Sequence, residues 1–307
     1  MYLMEKTEYE GWPNCVRLSN KEIEIIVTTD AGPRIIHCGF KKGQNLLYVS
    51  GKDKGRTGGS QWRIYGGHRL WHAPEAMPRS YYPDNFPVNH AWNGKTLILS
   101  QDIETTTGVI KEMEITLHPE KNLVTVLHRL INKNLWPIET SPWAITAHAA
   151  GGRAILPQET YIDPADCLLP ARPVVLWHYT HMGDPRWIWG NKYIQLIHDS
   201  KLTSEQKIGI LNKQGWAAYL HDKTLMIKKF QFDPEALYPD YGCNNEVYAN
   251  ENLLEIETLG PLSKIDPGST VEHTEQWLIT TLEQTLQPVH DDGIDRNILP
   301  IIRPFMI

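Results

Sequence analysis

Short runs in which apolar and polar residues alternate fill most of the chain. In the run 23–28, Ile23, Ile25 and Val27 share one side and Glu24 falls on the other. A period of two is that of a half-buried strand. The same pattern predicts strands over 34–40, 45–49, 95–101, 110–118, 123–132, 143–149 and 153–157. It continues over 193–197, 207–211, 215–220, 224–232, 252–259 and 270–282. His118-Pro119-Glu120-Lys121-Asn122 has the turn-forming residues of a hairpin connection between two of these runs. No long segment carries an apolar stripe at helical spacing. Strand candidates continue to about residue 282 without a linker-like change of composition. The expectation is an all-β chain, 1–307 forming one domain, in which two large, mostly antiparallel sheets face each other.

Two long stretches break the alternation. Residues 51–93 are rich in Gly, Pro, Arg, His and aromatics, and residues 157–190 carry Pro, Asp and Trp. Long loops that keep many aromatics in a compact protein are often functional. The tail, 288–307, regains aliphatics from Ile294 to Phe305 and is expected to pack against the body.

Composition narrows the function classes. Thirty basic residues against thirty-six acidic give a formal charge of −6 without a basic run, which gives nucleic-acid binding little electrostatic support. Cys15, Cys38, Cys167 and Cys243 form no CxxC pair, so neither a zinc knuckle nor a dense disulfide framework is expected. No apolar run approaches membrane-spanning length. The acidic first eleven residues do not resemble a signal peptide, so the expected location is cytoplasmic. Dinucleotide, phosphate-loop, zincin and serine-hydrolase motifs are absent. No cofactor is therefore expected. The 11 Trp and 13 Tyr against 5 Phe favour surfaces that are flat, apolar and hydrogen-bonding at once.

Tyr65-Gly66-Gly67-His68-Arg69-Leu70-Trp71-His72-Ala73-Pro74-Glu75 concentrates candidate chemistry. Two imidazoles, a guanidinium, an indole and a carboxylate can hold the hydroxyls and cover the apolar face of a sugar. His68 and His72, four residues apart, share a side in either a helix or a strand. Metal binding by these imidazoles has no standard spacing behind it, and no metal is expected. A second candidate segment runs from Glu246 to Trp277. On a strand, Glu255 and Glu257 would face the same way, about 6.6 Å apart along the chain, where two carboxylates raise one another's pKa. Glu246 and Tyr248 lie on the polar approach to that strand, and His273 sits beyond it.

Leu254-Glu255-Ile256-Glu257-Thr258-Leu259-Gly260-Pro261-Leu262 with Ile265-Asp266-Pro267-Gly268 resembles the end of aldose 1-epimerases and other galactose mutarotase-like proteins. Trp143 to His148 resembles the stretch where that family places a substrate-contacting histidine, and Gly67-His68-Arg69-Leu70 its arginine-bearing loop. Ala147-His148-Ala149-Ala150 stands in place of the family's Asn-His-x-Tyr-Phe-Asn signature. The resemblance covers roughly residues 20 to 282 and suggests a divergent branch of that superfamily. It implies a β-supersandwich that takes a small carbohydrate and interconverts its anomers. Glu255 is then the base, with Glu257 as the nearby alternative, and His148 or His72 is the acid. His68, Arg69, Trp71, Glu75, Glu246, Tyr248, Glu257 and His273 would contact substrate. A glycan-cleaving enzyme and a non-catalytic carbohydrate-binding module remain open alternatives, as does the oligomeric state.

Overall fold

Alternation shapes the strands as the pattern predicts. Along Val109–Leu117 and Leu123–Asn132 buried positions alternate strictly with half-buried ones. Between them, His118 Nδ1 accepts hydrogen bonds from the backbone N–H groups of Glu120 and Lys121 and closes the hairpin. A computed structural model describes residues 3–286 and 290–306. Among them, eleven strands form one sheet and ten another.

The first sheet runs, in spatial order, Leu3–Tyr9, Trp12–Ser19, Ile23–Thr28, Arg34–Phe40, His68–Ala73, Ile138–His148, Leu254–Leu259, Asn245–Ala249, Gln206–Ile210 and Val174–Leu176. Ser263–Ile265 pairs separately with the start of Ile138–His148. The second runs Trp187–Trp189, Tyr193–Ile197, Arg153–Pro157, Trp216–His221, Thr224–Phe230, Thr270–Thr281, Leu123–Asn132, Val109–Leu117, Thr96–Ser100 and Asn89–Trp92. The pairings between these strands are antiparallel. One apolar core joins Leu18, Ile25 and Val27 of the first sheet to Leu99, Met113, Val126 and Trp277 of the second. The expected class, an all-β sandwich of two large sheets, is the observed one.

Three expectations change. The run 45–49 is not a strand but makes isolated bridges, Leu47 to His148 and Val49 to Gly66. The stretch 51–93, read as loop, contains the buried strand His68–Ala73 at the centre of the first sheet. Its six residues are all buried, so no polar–apolar alternation marks it. The tail 288–307 packs on the body, but as the short helices Asp291–Asn297 and Leu299–Met306. Ile294, Ile298 and Ile302, four residues apart, lie against Ile155, Trp216 and Ile227 of the second sheet. Residues 288, 289 and 307 of that tail fall outside the described residues.

The glycine pair before His68 is required by geometry. Gly66 and Gly67 both have positive φ, 85° and 71°. A Cβ at Gly67 would stand 2.2 Å from the Ile35 carbonyl oxygen, and one at Gly66 2.3 Å from that of Tyr48. Both obstacles are backbone. Gly67→Ala is expected to lose more than about 1 kcal/mol of stability, measured by denaturant unfolding. An unchanged midpoint would show that the turn can relax.

Candidate functional site

Five adjacent strands of the first sheet build a cavity on the sheet face turned away from the second sheet. Strand register decides what it contains. Arg69 lies opposite Ile145, which lies opposite Glu257; Trp71 lies opposite Trp143. Glu255 lies opposite Tyr248, which lies opposite Lys207, and Glu257 opposite Glu246. Residues in register share a face. Arg69, Trp71, Trp143, Glu255, Glu257, Tyr248 and Lys207 therefore project together and line a cavity of about 420 Å³. Trp62, Glu75 and Tyr81 come from the loops around His68–Ala73, and Trp177, Tyr179 and Glu205 close the opposite wall. Gly209 leaves room beside this wall: a Cβ there would meet Cys243 Sγ at 2.4 Å and the Trp177 ring at 3.3 Å.

Charge in the floor is paired. Arg69 Nη1 donates to Glu255 Oε1 at 3.0 Å, and its guanidinium lies over the Trp71 ring at 5.0 Å. Lys207 Nζ stands 2.8 Å from Glu246 Oε2 and 2.9 Å from Glu257 Oε2. The same ammonium lies over the rings of Trp143 and Trp177, at 4.7 and 4.8 Å, and Trp143 Nε1 donates to Glu257 Oε2 at 2.8 Å. Glu257 Oε1, Trp62 Nε1 and Arg69 Nε are buried without a hydrogen-bond partner. At the rim, the Tyr81 hydroxyl donates to Glu75, and that of Tyr248 to Glu205 at 2.8 Å.

Burial raises the Glu255 carboxyl above its ordinary pKa, with Glu257 adding to the shift and Arg69 opposing it. Burial pushes Glu246 up strongly, against the pull of Lys207. Lys207 is held well above the usual lysine value, because Glu246 and Glu257 outweigh the burial that would lower it. A carboxyl whose environment raises its pKa is suited to holding a proton for transfer.

The histidines are elsewhere. Alternation along His68–Ala73 turns His68 and His72 to the interior, opposite to Arg69 and Trp71. His68 and His72 do share a side, as expected, but it is the side between the sheets. His72 Nε2 faces Glu104 at 3.4 Å, and Lys111 Nζ holds the same carboxylate at 2.6 Å. His148 stacks on Tyr219, ring centroids 4.2 Å apart, with Nδ1 3.3 Å from the Leu46 carbonyl oxygen. His273 Nε2 meets Thr258 Oγ1 at 2.7 Å. None of the four lines the cavity, so the acid role expected of His148 or His72 and the contacts expected of His68 and His273 are corrected on geometry. Glu246 stands behind Lys207 and also does not line it. Of the expected residues, Arg69, Trp71, Glu75, Tyr248, Glu255 and Glu257 do converge.

Between the sheets His68, His128 and Glu275 place one ligand atom each within 4.8 Å of one another. This is the donor set among the described residues that comes nearest to a metal site. Its bonds are already closed. His68 Nδ1 pairs with Thr146, His68 Nε2 with His128 Nε2 at 2.7 Å, and His128 Nδ1 with the His273 carbonyl oxygen. Glu275 accepts from Thr258, from Trp277 Nε1 and from Lys228 Nζ, the last at 2.7 Å. Lys228 supplies the positive charge that a metal would bring.

The residues missed in the sequence are Lys207, Trp143, Trp177, Tyr179, Tyr81, Glu205 and Asn250. Lys207 had one signal: a cation opening the otherwise apolar run Ile208-Gly209-Ile210-Leu211.

No protein-family model matches the chain, and no curated protein matches its sequence. Solved structures do match its fold. A galactose mutarotase-like protein from Lactobacillus casei superposes with a TM-score of 0.57 at 8% identity, over 87% of this chain and 100% of that one. A galactose mutarotase related enzyme from Lactobacillus acidophilus gives 0.51 at 9%, over 92% and 100%. A TPR-domain containing protein from Parabacteroides distasonis gives 0.58 at 15%, over 92% of this chain and 50% of its own. The chain has the galactose mutarotase-like β-sandwich fold, in a sequence far diverged from these neighbours.

Proposed function

We propose that the cavity binds a small carbohydrate and that the protein interconverts its anomers as an aldose 1-epimerase-like enzyme. The observation that carries this reading is the placement of two carboxylates, Glu255 and Glu257, on one strand face under a wall of indoles. Glu257 Oε1 and Trp62 Nε1 have no partner of their own. An indole covers the apolar face of a pyranose. A sugar hydroxyl can donate to Glu257 Oε1 and another oxygen can accept from Trp62 Nε1, which removes the cost of leaving both groups unpaired.

Mutarotation needs one proton taken from the anomeric hydroxyl and one delivered to the ring oxygen. With imidazoles absent from the cavity, the carboxyl pair supplies both. Burial, with the neighbouring Glu257 adding to it, favours a proton on Glu255. Glu257, held by Lys207 and Trp143, accepts the anomeric proton, while Glu255, whose carboxyl pKa is raised by burial, gives its proton to the ring oxygen. The ring C–O bond breaks as the open aldehyde forms. Rotation about the C1–C2 bond and closure return both protons by the reverse transfers, leaving the proton count unchanged. Arg69 orients Glu255, and Lys207 with Trp143 orients Glu257.

A freshly dissolved pure anomer, followed by polarimetry or NMR across an aldose panel, should equilibrate faster with the protein. Glu255→Gln should reduce that rate at least about 100-fold while sugar binding persists. Binding without acceleration across the panel would favour the second reading, a carbohydrate-binding module. The absence of any histidine among the cavity-lining residues is the observation on its side.

A further inference from the structure

We infer that the ligand of this cavity is a cationic sugar, an amino sugar carrying a free ammonium group, rather than a neutral aldose or a sugar acid. This inference rests on the carbohydrate reading of the same site. Four carboxylates line the cavity, Glu75, Glu205, Glu255 and Glu257, against two cations. Both cations are already in ion pairs, Arg69 with Glu255 and Lys207 with Glu246 and Glu257. The charge of the lining is in negative excess, and of the buried atoms without partners Glu257 Oε1 takes a donor, while Arg69 Nε and Trp62 Nε1 take neutral sugar oxygens. Glu257 is 1% exposed, and its Oε1 has no hydrogen-bond donor. A uronate carboxylate placed against this oxygen would meet a like charge in a dry site, which is costly. An ammonium would give it the donor it lacks.

The walls favour the same charge. The faces of Trp, and less strongly Tyr, attract cations, and aromatic cages rimmed with carboxylates hold ammonium ligands. The cavity already accommodates one ammonium, that of Lys207, between Trp143 and Trp177 and against Glu246 and Glu257. Trp62, Trp71 and Tyr81 form a second aromatic corner, with ring centroids 5.0 to 5.8 Å apart and edge-to-face packing. Glu75 stands at this corner, hydrogen-bonded only through the Tyr81 hydroxyl among the described residues. One corner thus shows the chemistry filled from within the chain, and the other offers it to a ligand.

The test is a calorimetric or NMR titration of the intact protein at pH 7 in which only ligand charge varies. Glucosamine, N-acetylglucosamine, glucose and glucuronate form one series and the galactose analogues another; tetramethylammonium serves as a cation without a sugar. At least one free amino sugar should bind tenfold or more tighter than its N-acetyl and neutral counterparts, and the uronates should bind worst. Equal or tighter binding of a neutral sugar or a uronate would overturn the inference and leave the carbohydrate reading standing. Tetramethylammonium binding with no sugar binding would support cation selectivity and sink the carbohydrate reading. No binding by either class would overturn both.

Discussion

Lowering the pH from 7 to 5 should reduce stability by several kcal/mol, read as a fall of about 10 °C in melting temperature. Five histidines packed between the sheets, His68, His72, His128, His148 and His273, are held below the ordinary imidazole pKa, foremost by burial. His273 is pushed down to about 3. Positive neighbours add to the effect: Lys228 acts on His68, His128, His148 and His273, and Lys111 on His72. A depressed histidine stays neutral in the fold while the unfolded chain takes up a proton below about pH 6.5. Its stabilising contribution is therefore present above that pH and is lost as the pH falls toward the folded value. A histidine that remains neutral in the fold costs about 2 kcal/mol at pH 5. Glu246 and Glu255 act in the opposite sense, since their raised pKa values let the fold bind protons first. His37 and His198 are also held low, and Asp240 is also raised, chiefly by burial; seven groups against three leave a net loss comparable to the whole stability of many domains. Thermal melts at pH 7, 6 and 5 measure it. A flat profile would mean that these imidazoles carry charge in the fold.

Several strands were legible in the sequence as short runs rich in apolar residues, though among those that follow only Leu123–Asn132 alternates strictly between buried and half-buried positions. Ile23–Thr28, Arg34–Phe40, Leu123–Asn132, Arg153–Pro157 and Tyr193–Ile197 have the ends that the alternation predicts. The hairpin Leu3–Tyr9 with Trp12–Ser19 and the strand Asn245–Ala249 were not read as strands. Asn245–Ala249 is buried on both faces at most positions and carries Asn and Glu, which read as loop until their partners are known. Those partners, Asn212 and Lys207, are more than thirty residues away in sequence.

The site was half legible for a related reason. Glu255 and Glu257 share a face because two residues is the strand period, and this needed no coordinates. Placing Arg69 opposite the histidines required knowing that 68–73 is a strand, and the pattern there has no alternation. Imidazoles near arginine invite a reading as catalytic groups. In the fold His68 bonds Thr146 and His128, and His72 faces Glu104, all between the sheets, whereas Lys207 and Trp143, which do reach the cavity, come from strands that looked like plain packing.

Lys228→Met should remove about 3–5 kcal/mol of stability at pH 7, because it strands a charge between the sheets. Lys228 and Glu275 are both fully buried and 2.7 Å apart. Lys228 also donates to Thr146 Oγ1 at 2.7 Å and to the carbonyl of Ile256 at 3.1 Å. Ile256 lies between Glu255 and Glu257, so this lysine braces the strand that carries both acids from behind. Without the ammonium, Glu275 keeps only neutral donors, Thr258 and Trp277. Adding Glu275→Gln removes the stranded charge and should return at least half of the loss, since a neutral pair is far less costly to bury than a lone carboxylate. The single variant should also lose less stability than the parent between pH 7 and 5. Lys228 lowers the pKa values of His128 and His273, and Glu275 raises them, so either imidazole can take up a proton and re-pair the carboxylate. Thermal melts of parent, single and double variants at both pH values test the whole scheme. A single variant that melts within about 2 °C of the parent at pH 7 would show that Glu275 is already neutral, and that the buried network is held by hydrogen bonds without an ion pair.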